Sequence, residues 1–295
     1  MESLAKLKIN DLEIRENVNL ERYTTIKLGG IGTLAICKSI ESTQEIIKYC
    51  RQKKIDYHLV GWGANQVLGH HKNYLYLKLD FDIDKNYLKS VREVYDLPAS
   101  FSLNSLTSHA IKNNLSGWEV FTGIPASLGG AIYMNAGTAL GEIGNLIKEV
   151  TILEENGEIY NYTPSKDSFS YRKNHFVKKG EIILSAKISH NGIKEGTSEK
   201  IKNYLEYRKK TQPLTTKNCG SVFKNNGDFK AGIVIDKCGL KGFGSESIQV
   251  SQKHGNFIEN VENGNVEDFC DVISRLTDEI ERYSGLKFEL EVKIY

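Results

Sequence analysis

Glycine arrives in bursts along this chain, and the placement of those bursts constrains the fold more than any other feature. No glycine precedes Gly29, and none lies from 33 to 60 or from 70 to 116. Gly29, Gly30 and Gly32 come first, then Gly61, Gly63 and Gly69, then a run from Gly117 to Gly144 and another from Gly220 to Gly255. Glycine is needed where backbone turns with positive φ or approaches a ligand closely, and such positions gather after strands and before helices. Turns that merely cluster would leave the same trace. The balance of 26 glycines against 4 prolines in 295 residues is itself unusual.

Between the bursts the apolar pattern alternates helix and strand. Residues 41–54 place Ile46, Ile47 and Cys50 at helical spacing behind Ser42 and Thr43 as capping candidates, and 57–60 is a β-rich run that leads into Gly61-Trp62-Gly63-Ala64-Asn65. Strands are predicted over 74–79 and 90–97, a helix over 102–114, and a hairpin about Asn156-Gly157 between 149–154 and 158–162. After a strand over 181–189, the polar stretch 191–196 is a candidate linker, with a boundary near 195. A helix over 197–212 ends in Arg208, Lys209 and Lys210, which also complement a helix dipole. A second helix over 265–283 turns Phe269, Val272, Ile273, Leu276 and Ile280 inward and stops at Gly285. The final segment alternates, with Phe288, Leu290, Val292 and Ile294 on one face, as in a half-buried strand.

Several classes drop out. Lys and Arg number 39 against 37 Asp and Glu, and the net charge of +2 gives no bulk attraction for nucleic acid or a membrane surface. Five cysteines without a Cys-x-x-Cys pair, in a chain lacking a secretory start, indicate reduced thiols and a cytoplasmic setting. The charge-free stretch 120–141 holds Pro125, Asn135 and several glycines, so it reads as a loop system rather than a membrane span. His70-His71 has no partner cluster and reads as loop surface, so no metal site is expected.

Gly61-x-Gly-x-Asn65 lacks the third glycine of the dinucleotide fingerprint and the Lys-Ser/Thr of a P-loop, but offers bare backbone N–H groups to a pyrophosphate. The loop Gly123-Ile124-Pro125 to Gly129-Gly130, followed by Asn135-Ala136-Gly137, lets backbone pack against something large and flat, which a flavin is. Together with Tyr23-Thr24-Thr25-Ile26-Lys27-Leu28-Gly29-Gly30, Ser170-Tyr171-Arg172, Cys219-Gly220-Ser221-Val222-Phe223-Lys224-Asn225 and Glu291-Val292, these motifs stand in one order. In that order the chain strongly resembles the UDP-N-acetylenolpyruvoylglucosamine reductase (MurB) family, from about residue 18 to 293, and its shorter subclass in particular.

The resemblance implies an α+β fold: a two-subdomain FAD-binding region of the vanillyl-alcohol-oxidase (PCMH) type over 1–80 and 81–194, then a C-terminal α/β substrate domain over 195–295. It implies FAD and NADPH as cofactors and UDP-N-acetylglucosamine enolpyruvate as substrate, reduced to UDP-N-acetylmuramate for peptidoglycan, in a monomer or weak dimer. By position in the family motifs, Lys27, Gly61, Trp62, Gly63, Ala64, Asn65, Gln66, Gly123, Ile124, Pro125, Gly129, Gly130, Asn135, Ala136 and Gly137 face the cofactor. Ser221 matches the proton donor, Arg172 the arginine that pairs with the substrate carboxylate, and Glu291 a glutamate of the same polar centre. Tyr171, Asn225, His254 and Lys210 fall at substrate positions, and Arg208, Lys209 and Lys217 are further candidates for the diphosphate. Taken singly, Ser221 is an ordinary turn hydroxyl, Arg172 a surface arginine and Glu291 the solvent face of a strand.

The chain departs from the family pattern on the cofactor side. Ala64 replaces a serine, Lys27 an arginine, His70-His71 an acidic residue and glycine, and Asp96-Leu97-Pro98-Ala99-Ser100 a glycine-bearing strand end. Three readings follow: the reductase, a non-catalytic nucleotide-sugar-binding relative with a weakened FAD site, and another flavin oxidoreductase. Cys219 is an alternative proton donor, since a thiol is the better acid.

Overall fold

The computed structural model describes Leu4 and residues 7–69 and 74–295, so His70 and His71 lie outside the described residues. The chain forms two compact units, one of Met1–Glu16, Thr33–Gly61 and Asn73–Glu206, the other of Asn17–Gly32, Trp62–Lys72 and Tyr207–Tyr295.

The first unit is built on two four-stranded sheets. One runs in the order Leu12–Asn19, Ile31–Cys37, Tyr74–Leu79, Asp56–Leu59, and its last three strands pair in parallel. Parallel neighbours require a crossover, which the helix Ile40–Lys53 supplies between the second and fourth of these. Ile46, Ile47 and Cys50 are fully buried, as their spacing predicts. The cap, however, is Ser39 rather than Ser42 or Thr43. Ser39 Oγ accepts from Ser42 N at 3.1 Å and Ser39 N donates to Ser42 Oγ at 3.2 Å, so Ser42 serves from inside the first turn.

The second sheet is antiparallel, in the order Ile159–Tyr162, Ile147–Leu153, Ile182–Ser189, Val94–Pro98. The expected hairpin closes it at one edge, with Gly157 at φ 89°. Trp118 is fully buried at its heart, 4.8 Å from the Tyr95 ring, with its indole N–H donating to Ser189 O at 2.9 Å. His109, on the helix Leu103–Asn113, is also buried, and its Nε2 lies 2.9 Å from Tyr95 Oη. Arg92 N donates to that phenolic oxygen, so the phenol proton is turned toward a neutral imidazole. Burial, with Lys112 and His190 adding to it, lowers the His109 pKa from 6.5. The unfolded chain therefore takes up this proton first as pH falls, and stability is lost below about pH 6.5. We expect melting temperature to decline from pH 7 to pH 5, and to decline less steeply in His109→Gln, as checked by thermal denaturation across that range.

The second unit centres on a three-stranded antiparallel sheet in the order Asn218–Ser221, Phe257–Asn260, Ile248–Val250. The helix Val266–Ser284 packs Phe269, Val272, Leu276 and Ile280 into one core with Val222, Phe223 and Ile258. Asn265 and Asp268 form its capping box, and Gly285 ends it at φ 70°. Among the described residues the C-terminal segment is ladder-paired only at Lys293–Ile294, in parallel with Gln66–Val67. Phe288 and Val292 are buried as the alternation predicts, but Leu290 is 37% exposed. A single bridge to Phe223 holds Leu290, and without a continuous ladder the two-residue period is not enforced. Among the described residues no helix is long and apolar enough to cross a membrane.

Candidate active site

In the first unit, two glycine bursts meet at Ser127. A Cβ built on Gly61 would stand 3.1 Å from Ser127 Oγ, and one on Gly130 would stand 3.2 Å from the same atom. Ser127 caps the short helix Leu128–Tyr133 by accepting from Gly130 N. The two loops thus pass one hydroxyl with no side chain between them, and Gly130 and Pro125 are exposed beside it. Glycine is required at both positions by this close approach to Ser127, and the bare backbone exposed beside it is chemically suited to a flat dinucleotide such as FAD.

The altered strand end 96–100 is accommodated in the same place. A Cβ on Gly129 would lie only 2.7 Å from Ala99 Cβ, and Gly129 N donates to Ala99 O at 2.8 Å. The Ala99 methyl occupies the space that Gly129 leaves free. A glycine missing on one side of this contact is therefore matched by a glycine on the other.

Arg172 stands on a turn at φ 56°, with Tyr171 exposed next to it and its guanidinium carbon 4.9 Å from the Tyr171 ring centroid. Its Nη2 donates to Gly137 O at 3.0 Å, and Nη1 lies 3.9 Å from Glu142 Oε1. The turn is carried by Asn135, which is 1% exposed. Asn135 Nδ2 donates to Glu142 Oε2 and to Ser170 O, at 2.8 and 2.9 Å, and Oδ1 accepts from Gly144 N at 3.1 Å. The polar atoms of Asn135, which sequence places toward the cofactor, are thus bonded to the framework around Arg172. Glu142 belongs to that framework but to none of the sequence motifs. Its signal is that it is the acid ending the charge-free run.

In the second unit, the strand Asn218–Ser221 is bulged. Asn218 faces Glu259 and Ser221 faces Phe257, so three steps on one strand answer two on the other, with Gly220 at φ 77° inside the bulge. A bulge re-aims the side chain that follows it. Ser221 is half-buried, and its hydroxyl has no hydrogen-bond partner among the described residues. Glu291 lies on the neighbouring segment, where its N–H donates to Val222 O at 2.8 Å. Asn65 Nδ2 donates to Glu291 O at 3.1 Å, and Lys293 N donates to Asn65 O at 3.0 Å. Thr25 completes the lacing by donating from Oγ1 to Asn218 O at 2.7 Å and from N to Gly63 O at 3.1 Å. The unit therefore gathers Gly63, Ala64, Asn65, Ser221 and Glu291. Those bonds leave the loop frame independent of the hydroxyl that Ala64 lacks.

Cys219 points the other way. It is 1% exposed, within the core that contains Val222 and Ile258, and burial pushes its thiol up to about 12. His254 is half-buried, and its Nδ1 accepts from Asn256 N at 3.2 Å. Burial, and then the nearby Lys241, lower its pKa from 6.5, so the ring is neutral at pH 7. Asn225 is exposed and accepts from Ala231 N at 3.0 Å at the start of the helix Ala231–Lys237. Lys27, at φ 59°, lines a concavity of about 370 Å³ with Arg22 and Lys217, and Lys217 Nζ donates to Asn263 Oδ1 at 2.7 Å. Lys210, exposed near the end of the helix Thr197–Thr211, is not among the residues lining it. Arg172 belongs to the first unit, Ser221 and Glu291 to the second.

Two family descriptions match. Residues 32–163 match an FAD binding domain, and residues 212–295 match the UDP-N-acetylenolpyruvoylglucosamine reductase C-terminal domain. Over 95% of its length the chain is 32% identical to the UDP-N-acetylenolpyruvoylglucosamine reductase of Clostridium tetani, covering 92% of that protein. It is 33% identical to that of Streptococcus uberis, with 96% and 93% of the two chains covered. The crystal structure of the Thermus caldophilus enzyme superposes with a TM-score of 0.80 at 28% identity, covering 96% of this chain and 98% of that one.

Proposed function

The chain belongs to the UDP-N-acetylenolpyruvoylglucosamine reductase family, and from that premise we propose how its residues divide the reaction. It is a flavoprotein oxidoreductase, a UDP-N-acetylmuramate dehydrogenase of peptidoglycan precursor synthesis that uses FAD and NADPH. Its fold is the PCMH-type FAD-binding region joined to the family's C-terminal domain. The subdomains are assigned as 1–80 and 81–194 for the cofactor and 195–295 for the substrate, and the enzyme as cytoplasmic.

When bound, FAD would supply the two-electron chemistry that links NADPH to the enolpyruvyl group. Gly61, Trp62, Gly63, Ala64, Asn65 and Gln66, with Gly123 to Pro125, Gly129, Gly130 and the 135–137 turn, hold it through backbone and small side chains. Arg172 receives the substrate carboxylate, for which its planar fork suits two oxygens, and its cation stabilises the negative charge that develops there. Ser221 delivers a proton to the carbon next to the one reduced. A neutral hydroxyl is a weak acid at pH 7, so this step depends on fixed geometry and nearby developing charge. Glu291 completes the polar centre, and His254, Asn225, Tyr171 and Lys210 meet the nucleotide sugar. Lys217 and Lys27 add positive charge for phosphates.

The observation that supports the Ser221 assignment is a hydroxyl without a hydrogen-bond partner among the described residues, presented by the Gly220 bulge one residue before the bond between Val222 and Glu291. The overall assignment is tested on the purified protein by visible spectroscopy. A flavin spectrum should bleach with NADPH and return only when the enolpyruvyl nucleotide sugar is added. A colourless protein that cannot be reconstituted with FAD yet binds the UDP-sugar would instead mark a non-catalytic relative.

A further inference from the structure

Asn256 has no role in the assignments above, yet it holds the segment after Ser221 through its side chain and its backbone. It is 5% exposed. Its Oδ1 accepts from Phe223 N at 2.9 Å, its Nδ2 donates to Phe223 O at 2.8 Å, and its own carbonyl accepts from Val222 N at 2.9 Å. On the opposite side, Val222 O accepts from Glu291 N and Lys224 N donates to Glu289 O, both at 2.8 Å. Residues 222–224 are thereby pinned between Asn256 and the 289–291 segment, directly after the bulge at Gly220. The backbone N–H of the same Asn256 also engages His254 Nδ1, leaving Nε2 as the N–H of the neutral ring. A primary amide is the side chain that offers one acceptor and one donor side by side to a single residue's N–H and C=O.

We propose that Asn256 is a positioning residue for proton delivery: by pairing its amide with both backbone groups of Phe223, it fixes the Ser221 hydroxyl where the substrate carbon is protonated. The inference rests on the Ser221 assignment above. Asn256 reaches no reacting atom and acts through the backbone. Its removal is expected to impair the proton-dependent half of the cycle and to spare flavin reduction by NADPH.

Asn256→Asp separates this role from packing because it keeps shape and volume. A protonated carboxyl accepts from Phe223 N and donates to Phe223 O as the amide does, whereas the ionised form only accepts and opposes the Phe223 carbonyl. Burial and the opposing Phe223 carbonyl raise the introduced carboxyl above the ordinary aspartate range of about 3.9, so in the FAD-loaded enzyme oxidation of reduced flavin by the enolpyruvyl substrate should fall about 10-fold or more at pH 9 and by clearly less at pH 6. Reduction by NADPH should stay within about twofold throughout. Asn256→Ala should lose the substrate step at both pH values. In each variant, hydrogen exchange at Phe223 N–H, measured without substrate against the parent at equal pH, should accelerate when that step slows. Combined with Ser221→Ala, Asn256→Asp should cause no further loss, since both act on one proton transfer.

The inference is overturned if Asn256→Ala folds and oxidises at the parent rate, if both half-reactions slow equally, or if the two substitutions add. In those cases an inactive Ser221→Ala leaves the Ser221 assignment standing. Full turnover by Ser221→Ala itself removes that assignment, and this inference with it.

Discussion

Ser221→Ala should abolish formation of the reduced sugar, by about 10³-fold or more, while NADPH still bleaches the flavin at close to the parent rate. The substitution deletes one oxygen that has no hydrogen-bond partner among the described residues, so nothing in the second unit is left unsatisfied. Stability should change by no more than about 0.5 kcal/mol, as for a substitution outside the packed core. Loss of turnover with an unchanged melting temperature therefore points to chemistry. Stopped-flow absorbance resolves the two half-reactions, and a variant that oxidises reduced flavin normally on the enolpyruvyl substrate rules out the assignment. Cys219 offers no substitute donor two residues away, because its side chain is buried in the core.

Gly63→Ala should be the most damaging single methyl addition in the cofactor loop. Gly63 has φ 66°, and a Cβ there would stand 1.9 Å from Tyr23 O and 2.7 Å from Thr24 Cα, both main-chain atoms that cannot swing aside. Left-handed backbone alone costs a side chain roughly 1–2 kcal/mol, and overpacking against fixed atoms adds about 1–3 kcal/mol. Relief requires moving the loop, which breaks the bonds from Thr25 to Gly63 O and disturbs Asn65 beneath Glu291. We expect about 3 kcal/mol or more of destabilisation, together with loss of bound flavin. Gly227→Ala is the matched control. Its φ is 56° but a Cβ there meets nothing within 4 Å, so only the backbone cost of about 1 kcal/mol should appear. Equal melting temperatures for the two variants would contradict the steric argument.

Much of this was legible in the sequence because it is local. The helix Val266–Ser284 with its Gly285 stop, the Asn156-Gly157 hairpin and the strand Tyr74–Leu79 follow from periodicity and turn chemistry over a few residues. The ordered motifs identify the family for the same reason, since each is contiguous in the chain. Legibility failed where a local rule had two answers. Ser39 and Ser42 both suit a cap, and only the backbone conformation at Ser39 decides between them. Leu290 obeys the alternation but lacks the ladder that would bury it.

The sequence by itself determined several of the helices and strands, the family, and which residue types stand at the motif positions matched to it. Only the tertiary structure decided what holds those positions. Asn65 lies 226 residues from Glu291 and Asn256 lies 33 from Phe223, and no periodicity links either pair. The same is true of Ala99 against Gly129, where the Ala99 methyl fills the space that a side chain on Gly129 would need. Hydrogen bonds and close approaches between distant segments depend on atoms meeting after the chain has folded. A local pattern carries no information on which pairs will meet.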